Sequence, residues 1–279
     1  GGEVSGFEPG DRVCSPFTTN CGSCFYCRCG LTCRCVSGQL FGWVEDGRGL
    51  QGAQAEYVRV PLADSTLLEP PEEMLQEEAL LLGDILSTGY FCAEQAGVSG
   101  EGTYAVVGCG PVGLMTLIGA RELGAKNLFG VDSVPERLAL ASRLGATAVD
   151  YLEDDPVTRV KEATDGRGAD AVMEVVGSAA ATFLAIAMLR PGGVLSSVGV
   201  HTEAQFGFSP VQAYDKNLTL KSGRCPARHY MERLVPLVQS RSDELAAVIS
   251  HRLPLEDGAR GYEIFDNKLE GCTKVILEP

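Results

Sequence analysis

The chain has 279 residues, 45% of them hydrophobic, a formal net charge of −14 and an isoelectric point near 4.7. That length and apolar content build one large or two ordinary cores, so a wholly disordered chain is excluded. The acidic balance argues against nucleic acid and anionic membrane surfaces as general partners. No run reaches the ~18 apolar residues of a membrane span, and no basic, then apolar, leader opens the chain, so the expected setting is cytoplasmic, with small-molecule partners.

Residues 1–83 read as short β segments and turns with few helix signals. Gly10-Asp11 precedes a short β segment at Arg12-Val13-Cys14, and Ala55 to Val60 alternates at strand period, which predicts a strand there. Between them lies the densest chemistry of the chain: of 11 cysteines, Cys14, Cys21, Cys24, Cys27, Cys29, Cys33 and Cys35 crowd one stretch. In a reducing compartment such crowding reads as metal before disulfide. Cys21, Cys24 and Cys27 stand three apart and Cys35 follows eight later, a loop that can close a thiolate tetrahedron on a structural zinc. Disulfides or free thiols are the competing reading. Cys29 and Cys33 keep neither spacing and are expected to be non-ligands.

From residue 84 the pattern changes. A helix from Ile85 to about Ala96 is followed by apolar strands at 103–108, 127–131, 147–150, 169–175, 193–198 and 217–221, with helical stretches 111–123, 135–144, 156–164 and 178–189 between them. Strands alternating with crossover helices predict an α/β fold with a doubly wound, six-stranded parallel sheet. Its first turn is Gly108-Cys109-Gly110-Pro111-Val112-Gly113. Gly108 would make the tight turn, Gly110 would let backbone amides approach a pyrophosphate, and Gly113 would allow close helix packing. Asp132 closes the second strand, 19 residues after Gly113, where a carboxylate would accept from both adenosine ribose hydroxyls and repel a 2′-phosphate. The cofactor is therefore expected to be NAD rather than NADP. A surface acid capping the helix that begins at Pro135 is the alternative. Beyond 222 come helices near 227–240 and 256–266 and a final strand, 273–277.

These motifs in this order, with Gly10-Asp11-Arg12-Val13 upstream and Leu82-Gly83-Asp84-Ile85-Leu86-Ser87-Thr88-Gly89-Tyr90 between them, resemble the zinc-dependent medium-chain dehydrogenase/reductase family, and the Asp84 stretch is most similar to its formaldehyde-dehydrogenase-like branch. The resemblance implies a remainder of a GroES-like catalytic domain over 1–84, with the zinc lobe at 20–36, a Rossmann NAD-binding domain over 85–223, and a segment 224–279 returning to the catalytic domain. It implies hydride transfer between NAD and a primary alcohol or aldehyde adduct, and a homodimer or homotetramer. Asp84 matches a catalytic zinc ligand, although from the residues alone it reads as a helix N-cap. Thr88 matches a position at the nicotinamide end, Val112 packs on the cofactor, and Asp132 with Arg137 holds the ribose. Val175, Val176, Val198 and Val200 match cofactor-lining positions, and Lys274 matches a basic group on the pyrophosphate, where the plain reading is a solvated edge lysine. Glu174 is either an acid behind the zinc or a buried structural acid.

The departure is at the start. The family's catalytic cysteine, its hydroxyl and histidine proton relay and its Gly-His-Glu ligand motif would precede Gly1, and His201, His229 and His251 all lie after the glycine turn. A catalytic zinc needs three protein ligands and an open position, a rule for which alcohol dehydrogenase is itself a standard example. Asp84 supplies one, and Cys14 reads as a buried thiol. The catalytic zinc site is thus expected to be incomplete in this chain, with apolar surface left exposed.

Overall fold

The cysteine- and turn-rich start of the chain forms short elements. They are α1 (Phe25–Arg28), a 3-10 turn at Thr32–Arg34, the hairpin strands β1 (Trp43–Glu45) and β2 (Arg48–Leu50), and α2 (Ala63–Thr66). The hairpin turns through Asp46 and Gly47, both at positive φ, the conformation that an Asp-Gly pair favours in a two-residue turn. The segment predicted as a strand at 55–60 is not one. Tyr57 is 91% exposed, and among the described residues no ladder partner pairs with the segment: alternation selects a face, but a strand also needs a neighbouring edge. The segment around Cys14 is reduced to a single bridge to Leu68.

The expectation that helix is scarce before residue 84 is corrected by α3 (Gln76–Leu82). Its Glu78 side chain reaches back to accept from the Leu75 amide at 2.9 Å, and Ala79, Leu81 and Leu82 are buried. After it comes α4 (Ile85–Ala96).

The computed structural model describes residues 1–279, the side chain of Arg48 excepted. It contains two compact units, one of Gly1–Ser87 with Cys225–Pro279 and one of Thr88–Arg224. In the second unit the chain runs β3 (Thr103–Val107), α5 (Pro111–Glu122), β4 (Asn127–Asp132), α6 (Pro135–Arg143), β5 (Thr147–Asp150), α7 (Pro156–Glu162), β6 (Ala169–Glu174), α8 (Ala179–Met188), β7 (Leu189–Ser197), α9 (Pro210–Asp215) and β8 (Thr219–Ser222). All six strands are parallel in the order β5-β4-β3-β6-β7-β8. This is the Rossmann order, in which the chain reverses direction across the sheet between β3 and β6. Ligands of such sheets bind outside the carboxyl ends at that reversal. Ala105, Val107, Phe129, Val131, Val172 and Leu195 are among the buried side chains that make the sheet a two-sided core.

The first unit is completed by α10 (Ala227–Ser240), α11 (Ser242–Ala246), β9 (His251–Pro254), α12 (Gly258–Asp266) and β10 (Val275–Glu278), with β9 and β10 paired in parallel. Among the described residues no helix is long and apolar enough to cross a membrane.

Candidate functional site

At the end of β3 the chain must turn sharply into α5. Gly108 does so at φ +93°, and Gly110 caps α5 with Pro111 as its first residue. A Cβ on Gly113 would lie 1.8 Å from the Gly108 carbonyl oxygen, so the helix packs on the turn only because residue 113 has no side chain. A Cβ on Gly110 would meet nothing nearer than Arg137 Nη1 at 3.8 Å, which leaves the mouth of the turn open.

Asp132, the last residue of β4, is buried against this turn. Its Oδ2 accepts from the Cys109 amide at 2.7 Å, and its Oδ1 accepts from Ser133 and Val134 amides at 2.7 and 3.0 Å. The reading of Asp132 as a surface cap is corrected in part. The carboxylate does hold the amides that lead into α6, but from a buried position that also fixes the glycine turn. Arg137 Nη1 stands 3.8 Å from Oδ2, and Arg137 Nε is buried without a hydrogen-bond partner. A carboxylate with three of its roughly four acceptor positions filled, beside an orphaned guanidinium donor, fits a ribose hydroxyl that both donates and accepts.

Val112 is half-buried on α5, and Val176 meets the turn, its Cγ2 2.5 Å from where a Gly108 Cβ would stand. Val176 is 51% and Val200 82% exposed, with Val198 half-buried, so the exits of β6 and β7 present apolar side chains outward. Thr88 is buried on α4. Gly108, Gly110, Pro111, Val112, Gly113, Asp132, Arg137, Val176, Val198 and Val200 thus share the carboxyl side of one sheet. Asp84 and Lys274 belong to the other unit, where Lys274 lines a pocket of about 180 Å³ with Gln54, Tyr262 and Phe265.

Sequence reasoning singled out Glu174 but not its partners. Glu174 is fully buried, and Ser197 and His201 converge on its carboxylate. Their only sequence signal is that all three fall at or just past strand ends.

In the first unit the sulfur atoms of Cys21, Cys24, Cys27 and Cys35 all lie within 4.8 Å of one another, and those of Cys24 and Cys27 are 3.5 Å apart. Zinc–sulfur bonds of tetrahedral geometry set thiolates about 3.8 Å apart, so the four fit that ion. Amides of the loop already point at the sulfurs: Cys21 N donates to Cys35 Sγ at 3.2 Å. The Ser23 amide is the main reason that the Cys21 thiol is held down at about 6, and the Cys27 amide contact lowers Cys24. Burial, aided by the neighbouring sulfurs, pushes Cys27 up to about 12, so a divalent cation held by this group would displace its proton.

Cys29, exposed, donates to the Tyr26 carbonyl; it and the buried Cys33 stand outside the group, and no disulfide forms among the described cysteines. Cys14 is a buried thiol donating to the Ala79 carbonyl at 2.7 Å, and burial raises it to about 12. Asp84 is exposed just before α4 and joins no cluster of three or more ligand atoms among the described residues.

Comparison with known proteins agrees with this architecture. A family model for zinc-binding dehydrogenases matches residues 111–240, and one for the alcohol dehydrogenase GroES-like domain matches residues 1–70. The chain is 43% identical over 274 residues to zinc-type alcohol dehydrogenase B of Aspergillus flavus, covering 95% of this chain and 63% of that protein. It is 34% identical over 310 residues to an uncharacterised zinc-type alcohol dehydrogenase-like protein of Bacillus subtilis, covering all of this chain and 82% of the relative. Among solved structures, the alcohol dehydrogenase of Thermus sp. ATN1 superposes with a TM-score of 0.90 at 40% identity, over 97% of this chain and 79% of that one. The chain belongs to the zinc-type medium-chain alcohol dehydrogenase family, with a GroES-like unit and a Rossmann-like sheet.

Proposed function

We propose that the chain is the NAD(H)-binding and structural-zinc part of an oxidoreductase that moves hydride between NAD and a primary alcohol or aldehyde adduct. The observation that carries the reading is Asp132 locked onto the Gly108 turn beside the orphaned Arg137 Nε, at the reversal point of the sheet. Gly110 leaves room for a pyrophosphate at the start of α5, whose amides and dipole favour an anion. Asp132 and Arg137 orient the adenosine ribose. Val176, Val198 and Val200 shield the nicotinamide from water.

In such enzymes a catalytic zinc supplies Lewis acidity at the alcohol oxygen and the nicotinamide accepts the hydride. In this reading Asp84 is the one ligand among these residues that the family resemblance offers such a zinc, which needs three from protein; the second reading is a dinucleotide- and zinc-binding protein with little turnover. The substrate class is supported by the Gly83-to-Tyr90 stretch. The exposed edge strand β8 supports pairing of two copies.

Zinc analysis with NADH titration and an alcohol-dependent assay tests this. One zinc per chain with NADH binding and no turnover supports the binding-protein reading, and two zincs with alcohol-dependent NADH formation would refute the incomplete site. Absence of NADH binding overturns the cofactor assignment.

A further inference from the structure

Glu174 and Ser197 are register partners at the last positions of β6 and β7, so both side chains emerge at the carboxyl side of the sheet. Glu174 Oε1 accepts from the Val176 and Gly177 amides at 2.8 and 2.6 Å, and Oε2 accepts from Ser197 Oγ at 2.8 Å. His201 Nε2 lies 2.9 Å from Ser197 Oγ and 3.4 Å from Glu174 Oε2. The serine has one proton, and it is given to the carboxylate; Nε2 therefore carries a proton and donates into the pair. The imidazole is held edge-on to Phe206 at 5.3 Å.

The two strand exits joined by this network are packed backbone on backbone. A Cβ on Gly199 would fall 2.2 Å from the Gly177 nitrogen, and the Val198 amide donates to the Glu174 carbonyl at 3.0 Å. The exits carry Val176, Val198 and Val200. A buried carboxylate holds such a shape only while its donors are in place, and His201 is the donor that comes from the far end of the β7 exit.

We propose that His201 is a positioning residue for the nicotinamide half of the dinucleotide, acting through Ser197 and Glu174 to hold the β6 and β7 exits together. This rests on the reading that the carboxyl side of this sheet binds NAD. It assigns His201 no contact with the reacting atoms.

The test titrates the full chain with NADH and with ADP-ribose, which lacks the nicotinamide, in the wild type and in His201→Leu and His201→Gln. Losing a donor to a charged network should weaken NADH binding of H201L by about tenfold. ADP-ribose affinity should stay unchanged, which also reports that the variant is folded. H201Q, whose terminal amide restores a donor, should stay within about threefold of wild type, well under the effect of one lost charged hydrogen bond. Unchanged NADH binding in H201L, an equal loss of both ligands, or no rescue by H201Q overturns the proposal. Wild-type protein that binds neither ligand overturns the dinucleotide reading itself, and this proposal with it.

Discussion

Asp132 Oδ2 accepts the Cys109 amide proton at 2.7 Å, so the acid that ends the second strand of the sheet holds the glycine turn that ends the first. One carboxylate therefore holds the turn and, on the proposed reading, also meets the ribose. The two roles separate by substitution. Asp132→Ala leaves the Cys109, Ser133 and Val134 amides without their acceptor, which should cost about 1–3 kcal/mol of stability and at least about tenfold in NADH affinity. Asp132→Asn keeps one acceptor oxygen and should regain more thermal stability than NADH affinity. Thermal melting beside NADH titration checks this; full recovery of both in the Asn variant would remove Asp132 from the ribose.

Gly113→Ala sets a methyl 1.8 Å from the Gly108 carbonyl oxygen, a contact that only backbone movement relieves. The expected cost is about 2–3 kcal/mol together with loss of NADH binding, because the same movement opens the turn. Gly110→Ala, with nothing closer than 3.8 Å, should leave stability nearly unchanged while weakening NADH. A chemical denaturation series on both variants tells them apart, and equal destabilisation would contradict the packing argument.

Purified protein should hold one zinc per chain through Cys21, Cys24, Cys27 and Cys35. Cys24→Ser should release it and loosen the lobe, since a structural zinc contributes on the order of 10 kcal/mol to the fold of its own loop. Asp84→Ala should leave the metal content as it was. Elemental analysis of the three proteins decides, and loss of zinc from the Asp84 variant would count against this ligand assignment.

Cys14 and Cys92 give the fold an alkaline limit. Burial raises each thiol from 9.0 to about 12, so between those values the folded chain keeps protons that the unfolded chain releases. Stability from these groups is fully present below pH 9 and is lost as pH rises toward 12, at up to about 1.4 kcal/mol per pH unit per thiol. Melting temperatures between pH 8 and 10.5 should fall, and Cys92→Ala should flatten the slope. A slope that is identical in the variant would show that Cys92 does not titrate in the unfolding step.

Much of the second unit was legible because its signals are local. The run from Thr103 through the glycine turn and α5 to Asp132 is strand, turn, helix and strand within thirty residues, each with its own period or punctuation. The helix at Ala227–Ser240 was equally plain. Short elements were not. The seven residues of α3 sit among acidic neighbours that mask the Glu78 to Leu75 contact, and the Asp46-Gly47 turn joins strands of three residues each, too short to show a period. At residues 55–60 the alternation was real, but pairing depends on an edge supplied from elsewhere in the chain.

The sequence by itself determined the zinc lobe, the glycine turn and the acid that follows it, because each is a spacing within a few residues whose chemistry tolerates few alternatives. Tertiary structure decided what those residues face. Parallel crossovers bring Glu174, Ser197 and His201 into one hydrogen-bonded group, bury Asp132 against Cys109 and leave Arg137 Nε without a partner. The physical reason is register: which strand ends stand side by side is set by packing across the whole sheet, and no local spacing in the chain encodes it.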